Sequence, residues 1–399
     1  MSLLPIGKRR KLRRSLRDKT YFSISSEGYG HSSRALALAR CFPPEEILLA
    51  SYSYALERVR AYGYPCVEIS QEVRFIGSEG SFDVGKTILR NPYSALGLSQ
   101  WIEEEMDVIR RHGVSLVVAD GRIAPVLAAE RLDIPCIVMT NQSAFYPFFE
   151  RDSALVKLFG RSFEWVMKLW LSSAEEILIP DFKPPYTVCL PNLSDNFQVK
   201  KRTRFVGPLV AWRESEIEPI ERPNATRPLI VVSLGGHEYR RPLFDAALEV
   251  AKQLPQLDFM IIAGFEASSA PENVSIHPFV KNAAPYFKAA DLVITQAGHS
   301  TAMELLTLGK PSLIVPDNRQ IEQENNASRM AALGVSLKME YDELEDPSQK
   351  ILENNILELL ESRRFVECSQ RFADMAKELD GARTAAIHLQ EFAHRLSAY

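Results

Sequence analysis

The sequence predicts an α/β protein of two domains, each built on a parallel sheet, with the two sheets facing a central cleft. Three observations carry this. Short apolar runs alternate with helical stretches from Tyr21 onward; the alternation breaks off in a proline-rich segment near mid-chain and then restarts; and 399 residues suits two ordinary domains.

In chain order, residues 21–25 read as the first strand and 32–42 as a helix after a Gly-containing turn. Strands at 47–50, 66–69, 116–119 and 134–140 alternate with helices at 53–61, 95–111 and 125–132, and a Gly/Ser-rich loop runs from about 76 to 85. The strands are continuous apolar runs, as in sheets covered on both faces. A long amphipathic segment at 153–171 and a strand at 177–180 complete an N-terminal domain of residues 20–207. Pro208, Pro219, Pro223 and Pro228 mark a linker over 208–228. Strands at 229–233, 259–263, 274–277, 292–294 and 312–315 then alternate with helices at 242–253, 283–289 and 301–308 in a second domain of 229–380. Helical stretches at 349–360 and 365–378 follow, and a last helix at 382–396 is expected to cross back onto the N-terminal domain.

Apolar residues make up 46% and charged residues 25%, and the net charge is −4, so no overall field draws the protein to nucleic acid. Five scattered cysteines argue against a disulfide framework and fit a reducing, cytoplasmic compartment. No apolar run reaches the roughly 20 residues of a membrane helix. Residues 1–19 form a basic tail, with eight lysines and arginines between Lys8 and Lys19 and Asp18 as the only acid among them. It reads either as a solvated tail or as a peripheral contact to an anionic membrane surface.

Four motifs sit after strands, where open α/β sheets bind ligands. Gly28, Gly30 and His31 follow the first strand; a histidine there suits base catalysis, and packing or capping is the alternative. Asp120 ends another strand, so it either orients His31 or caps the helix that follows. Gly235 and Gly236 form a turn that suits an anion at a helix N-terminus. The fourth block, from Asp291 to Glu304, places Gln296, Gly298, His299, Ser300 and Thr301 at a strand–turn–helix junction, with Gln323 and Asn326 further on. Thr301 and Glu304 also fit a capping box, which would explain Glu304 without any ligand.

The block from Thr295 to Glu304, with Gln323 and Asn326 downstream and His31 near the N-terminus, resembles the donor signature of GT-B glycosyltransferases. It is similar to family 28, which includes the N-acetylglucosaminyltransferase that makes lipid II, and to the UDP-glycosyltransferases of plants and animals. The resemblance spans roughly residues 21–334 and is especially close to uncharacterised archaeal and bacterial relatives. It implies the GT-B fold of two Rossmann-like domains and a nucleotide-diphosphate sugar, UDP-linked, as donor. It also implies that Gln296, Ser300 and Thr301 meet the diphosphate, Glu304 the ribose and Gln323 the sugar, with Phe279 and Val280 near the base. His31 would then be the catalytic base and Asp120 its partner, in an inverting hexosyl transfer. No D-x-D pair and no H-E-x-x-H occurs, so no metal and no separate cofactor is expected. The aromatic cluster of Phe145, Tyr146, Phe148 and Phe149, with the segment 153–171, suggests either core packing or a lipid-linked acceptor at a membrane surface. Other readings are a nucleotide-sugar hydrolase or epimerase of the same fold, and a non-catalytic nucleotide-sugar-binding or membrane-docking subunit.

Overall fold

The computed structural model describes residues 19–72, 77–78, 81–82, 95–151, 153–235, 240–266, 269–296 and 298–397. The basic stretch up to residue 18, Gly236 and most of the expected loop at 76–85 lie outside the described residues.

The N-terminal domain holds β1 (Lys19–Ile24), β2 (Ile47–Ser51), β3 (Cys66–Glu68), a short antiparallel ladder of β4 (Gly77–Ser78) and β5 (Ser81–Phe82), then β6 (Val114–Asp120), β7 (Cys136–Met139), β8 (Glu176–Ile179) and β9 (Thr203–Phe205). Its seven-stranded sheet runs β3-β2-β1-β6-β7-β8-β9, and every pairing is parallel. The C-terminal domain holds β10 (Leu229–Ser233), β11 (Asp258–Ile262), β12 (Val274–His277), β13 (Leu292–Thr295), β14 (Ser312–Ile314) and β15 (Ser336–Lys338). Its sheet is also parallel, in the order β12-β11-β10-β13-β14-β15.

The central strands are buried on both faces: β2 and β11 have no exposed residue, because helices cover each side of each sheet. Strand order reverses between β1 and β6 in one domain and between β10 and β13 in the other. A doubly wound sheet opens a crevice at such a point, at the carboxyl ends of its strands. The four motifs follow these four strands, so the topology alone gathers them.

The helix Gly381–Ser397 packs on the N-terminal core: Ala385, Ala386, Leu389 and Phe392 join Phe22, Ile24, Leu36 and Leu38. His388 Nε2 contacts the Glu176 carboxylate at the start of β8. Between the two sheets, Trp212 and Ile217 bury against Ala284 of the second domain.

Candidate active site

The first helix, Tyr29–Ala39, is entered through Gly28, whose φ of +85° favours glycine over any side chain. His31 lies in its first turn. Its Nδ1 is 2.7 Å from Asp120 Oδ1, and its side chain keeps 21% exposure while Asp120 is fully buried. The His31 ring lies over Gly121, where a Cβ would come within 2.6 Å of Cε1. Burial would raise the Asp120 carboxyl, but Arg34 and His31 prevail and hold it at about 2.

The capping alternative for Asp120 does not hold. The helix Ala124–Arg131 has Ile123 as its N-cap, and the first free amides go elsewhere: Ile123 N donates to Glu72 Oε2 at 2.8 Å and Ala124 N to Glu72 Oε1 at 3.2 Å. With Glu72 filling that role, Asp120 is free for His31 and Arg34.

Opposite lies the helix His299–Thr307, with Gly298 as N-cap. Gly30 and Ser300 meet across the cleft: a Cβ on Gly30 would stand 2.5 Å from Ser300 Oγ. The residue beside the candidate base therefore abuts the start of the helix expected to receive a diphosphate. This helix begins two residues before Thr301, which makes no cap, so the capping box is absent. Glu304 is instead a half-buried carboxylate in mid-helix. Burial pushes it up to about 7, against the opposing pull of Arg58 and the Trp212 indole. Arg58 itself reaches the first helix, donating to Ser32 Oγ at 3.0 Å and Ser33 Oγ at 2.8 Å.

The remaining predicted residues divide by environment. Gln296 is buried and its Nε2 has no partner among the described residues. Phe279 is 73% exposed, while Val280 beside it is partly buried against the core under β10 and β13. Gly235 (φ +62°) packs on the Arg240 guanidinium, which pairs with Asp317 at 2.7 Å. Gln323 is nearly buried and bonds Asp317, accepting from its amide at 2.8 Å and donating to Oδ2 at 3.1 Å. Ser300 and Thr301 are half-buried at the helix start.

Two predicted residues are placed between the domains rather than on an open face. His299 is buried, its Nε2 3.0 Å from Asp181 Oδ2. Asn326 is fully buried and accepts from Asn192 Nδ2 at 3.0 Å. Asp181, Cys189 and His299 bring ligand-type atoms within 4.8 Å of one another. Their chemistry suits a latch better than a metal. Asp181 already accepts from the amides of Phe182, Val188 and Cys189, and burial pushes the Cys189 thiol well up.

Sequence reasoning missed Arg34, Asn141 and Glu322. Arg34 Nε donates to Asp120 Oδ2 at 2.5 Å and Nη1 to Asn141 Oδ1 at 3.0 Å, while Asn141 Nδ2 donates to Glu322 Oε1 at 2.9 Å. The usable signal was spacing, since Arg34 lies one helical turn beyond His31.

Two parallel sheets with this strand order, meeting at a cleft with a Gly-rich turn on each side, define the architecture of a GT-B glycosyltransferase. Solved structures agree on the fold. The kitacinnamycin glycotransferase superposes with a TM-score of 0.69 at 17% identity, covering 94% of this chain and 99% of that one.

The chain belongs to a family of glycosyltransferases and carries a family 28 match in its C-terminal part. The profile of the glycosyltransferase family 28 C-terminal domain matches residues 243–385. An uncharacterized glycosyltransferase of Methanosarcina acetivorans is 33% identical over 385 residues, covering 94% of this chain and 96% of its own. A Bacillus cytotoxicus relative is 27% identical over 299 residues, covering 70% of this chain and 72% of its own. That relative is named as a UDP-N-acetylglucosamine–N-acetylmuramyl-(pentapeptide) pyrophosphoryl-undecaprenol N-acetylglucosamine transferase.

Proposed function

We propose that the protein transfers a hexose-type sugar from a nucleotide diphosphate, UDP in the first instance, to an acceptor hydroxyl, with inversion and without a metal. The observation that carries this is the His31–Asp120 pair held against the start of the helix His299–Thr307. With Nδ1–H donating to Asp120, His31 Nε2 takes the acceptor's hydroxyl proton as that oxygen attacks the anomeric carbon. The bond from that carbon to the diphosphate breaks, and the electron pair leaves with the diphosphate. Free amides at the helix start, with Ser300 and Thr301, stabilise the developing charge. Glu304 suits the ribose hydroxyls, Gln296 offers a buried donor, and exposed Phe279 suits the base.

For the acceptor, a lipid-linked molecule is favoured by the exposed apolar face of the helix Ala154–Ser173 and by the undecaprenol-linked substrate in the relative's name. The first test is thermal stabilisation by UDP, GDP, TDP and their sugars, with and without Mg²⁺. One nucleotide class should raise Tm equally with and without the metal; silence across the panel would overturn the donor site. His31→Ala should then lower turnover at least about 10²-fold while nucleotide binding persists. Unchanged turnover would remove His31 as the base. Free sugar released without acceptor would point to hydrolysis instead.

A further inference from the structure

Resting on that reading of His31, we infer that Arg34 is a positioning residue: it sets the Asp120 carboxylate for the base, and is itself held in register by Asn141, which Glu322 orients from across the cleft. Arg34 leaves the same helix face as His31, one turn later, and is 4% exposed. Its Nε donates to Asp120 Oδ2 at 2.5 Å and its Nη2 donates to Oδ1. Such a fork fixes the plane of a carboxylate, as a single point donor does not. With that plane fixed, Oδ1 stands 2.7 Å from His31 Nδ1, where it can accept the ring proton.

The same guanidinium also threatens the base. Nη2 lies 2.9 Å from His31 Nδ1. Were Arg34 to swing toward the ring, Nδ1 would accept instead of donate, and the proton would move to Nε2, the atom that must be empty for catalysis. Asn141 opposes this swing. Its Oδ1 accepts from Arg34 Nη1 at 3.0 Å, and its amide is oriented by donating to Glu322 Oε1 at 2.9 Å. Glu322 belongs to the helix Ile321–Ala332 of the second domain, adjacent to Gln323. Charges alternate along the row from Glu322 through Arg34 to Asp120, and the row ends on the base. The alignment of the base is thereby tied to the second domain standing over the first.

The test compares Arg34→Lys, Asn141→Ala and His31→Ala with the wild type in full-length protein, measuring kcat, donor KM and nucleotide affinity. Arg34→Lys keeps the charge but not the fork, and should lower kcat about 10- to 100-fold with donor KM and nucleotide affinity within about twofold. Asn141→Ala should lower kcat several-fold with the same split, and the double variant should lose less than the product of the two, because both act on one row. If Arg34→Lys fails to fold, Asn141→Ala decides alone. Donor KM rising at constant kcat would make these donor-binding residues and overturn the inference. So would turnover preserved in both variants while His31→Ala abolishes it. Turnover preserved in His31→Ala, or absent in the wild type with every donor, overturns the underlying reading and the inference with it.

Discussion

Burial raises the Glu304 carboxyl to about 7, which makes its contribution depend on pH in a defined direction. The folded state holds a proton that the unfolded chain releases near 4.5, so the cost of a charged Glu304 is absent below about 4.5 and fully present above about 7. Glu304→Gln should stabilise the fold at pH 8 by on the order of 1 kcal/mol after allowance for partial exposure, read as a rise in Tm, and the gain should vanish by pH 4.5. Scanning calorimetry at the two pH values checks it; a loss of Tm at both would restore a structural role. The same substitution should weaken nucleotide binding at pH 8, where the carboxylate is the better acceptor. At this scale the sequence was partly legible. His31 and Asp120 each follow an apolar run, so the ends of strands point to them. Arg34 has no such marker, because its role depends on Asp120, 86 positions away. Thr301 and Glu304 imitate a capping box because spacing alone does not reveal that the helix starts at His299.

The helix Ala154–Ser173 is the element whose surface and core demands conflict. Met167, Trp170 and Leu171 are buried, and Gly160 lets Phe149 approach where a Cβ would stand 2.5 Å from its ring. The other face exposes Leu155 (78%), Leu158 (62%) and Trp165 (63%), with Val166 and Leu169 beside them. The segment thus has a core-packing side and an apolar outer side, and such a patch marks an interaction surface. No helix among the described residues is long and apolar enough to cross a membrane, and the proposed lipid-linked acceptor would call only for insertion of one face. Leu158→Glu combined with Trp165→Glu should reduce co-sedimentation with anionic phospholipid vesicles about fivefold or more without lowering Tm, since both side chains face solvent. Wild-type protein staying in the supernatant at moderate salt would end the membrane reading. Elements with strong apolar runs were legible, several to the residue, such as Leu229–Ser233 and Val274–His277. β9 and β15 were not, because three-residue edge strands draw their definition from the neighbouring strand. Nor was the helix Ile321–Ala332, whose polar residues are occupied by partners in the other domain.

At the scale of the whole molecule, the proposed site draws on both sheets, and the point where the chain crosses back between the domains tests whether their separation matters for activity. The chain returns to the N-terminal domain at Gly381, against Gly207 (φ +91°) and Pro208. A Cβ on Gly381 would stand 2.8 Å from the Gly207 carbonyl carbon and press on the Pro208 carbonyl oxygen. Those are backbone atoms, so no rotamer change relieves the clash, whereas a Cβ on Gly30 meets side-chain atoms of Ser300, of which the nearest, the hydroxyl, can rotate away. Gly381→Ala must therefore push the last helix away from Gly207 and Pro208, loosening Ala385, Leu389 and Phe392 from the N-terminal core. Overpacking of this kind costs about 1–3 kcal/mol, so a measurable fall in Tm is expected. The donor half of the proposed site is drawn from the second domain alone, so on that reading nucleotide affinity should be kept. The contacts that need both domains, Gly30 with Ser300 and Asn141 with Glu322, should slacken, so kcat should fall more than nucleotide affinity does. Calorimetry, nucleotide titration and turnover on the one variant separate these effects. A fall in Tm with unchanged kcat would mean that the crossing stabilises the fold without setting the cleft.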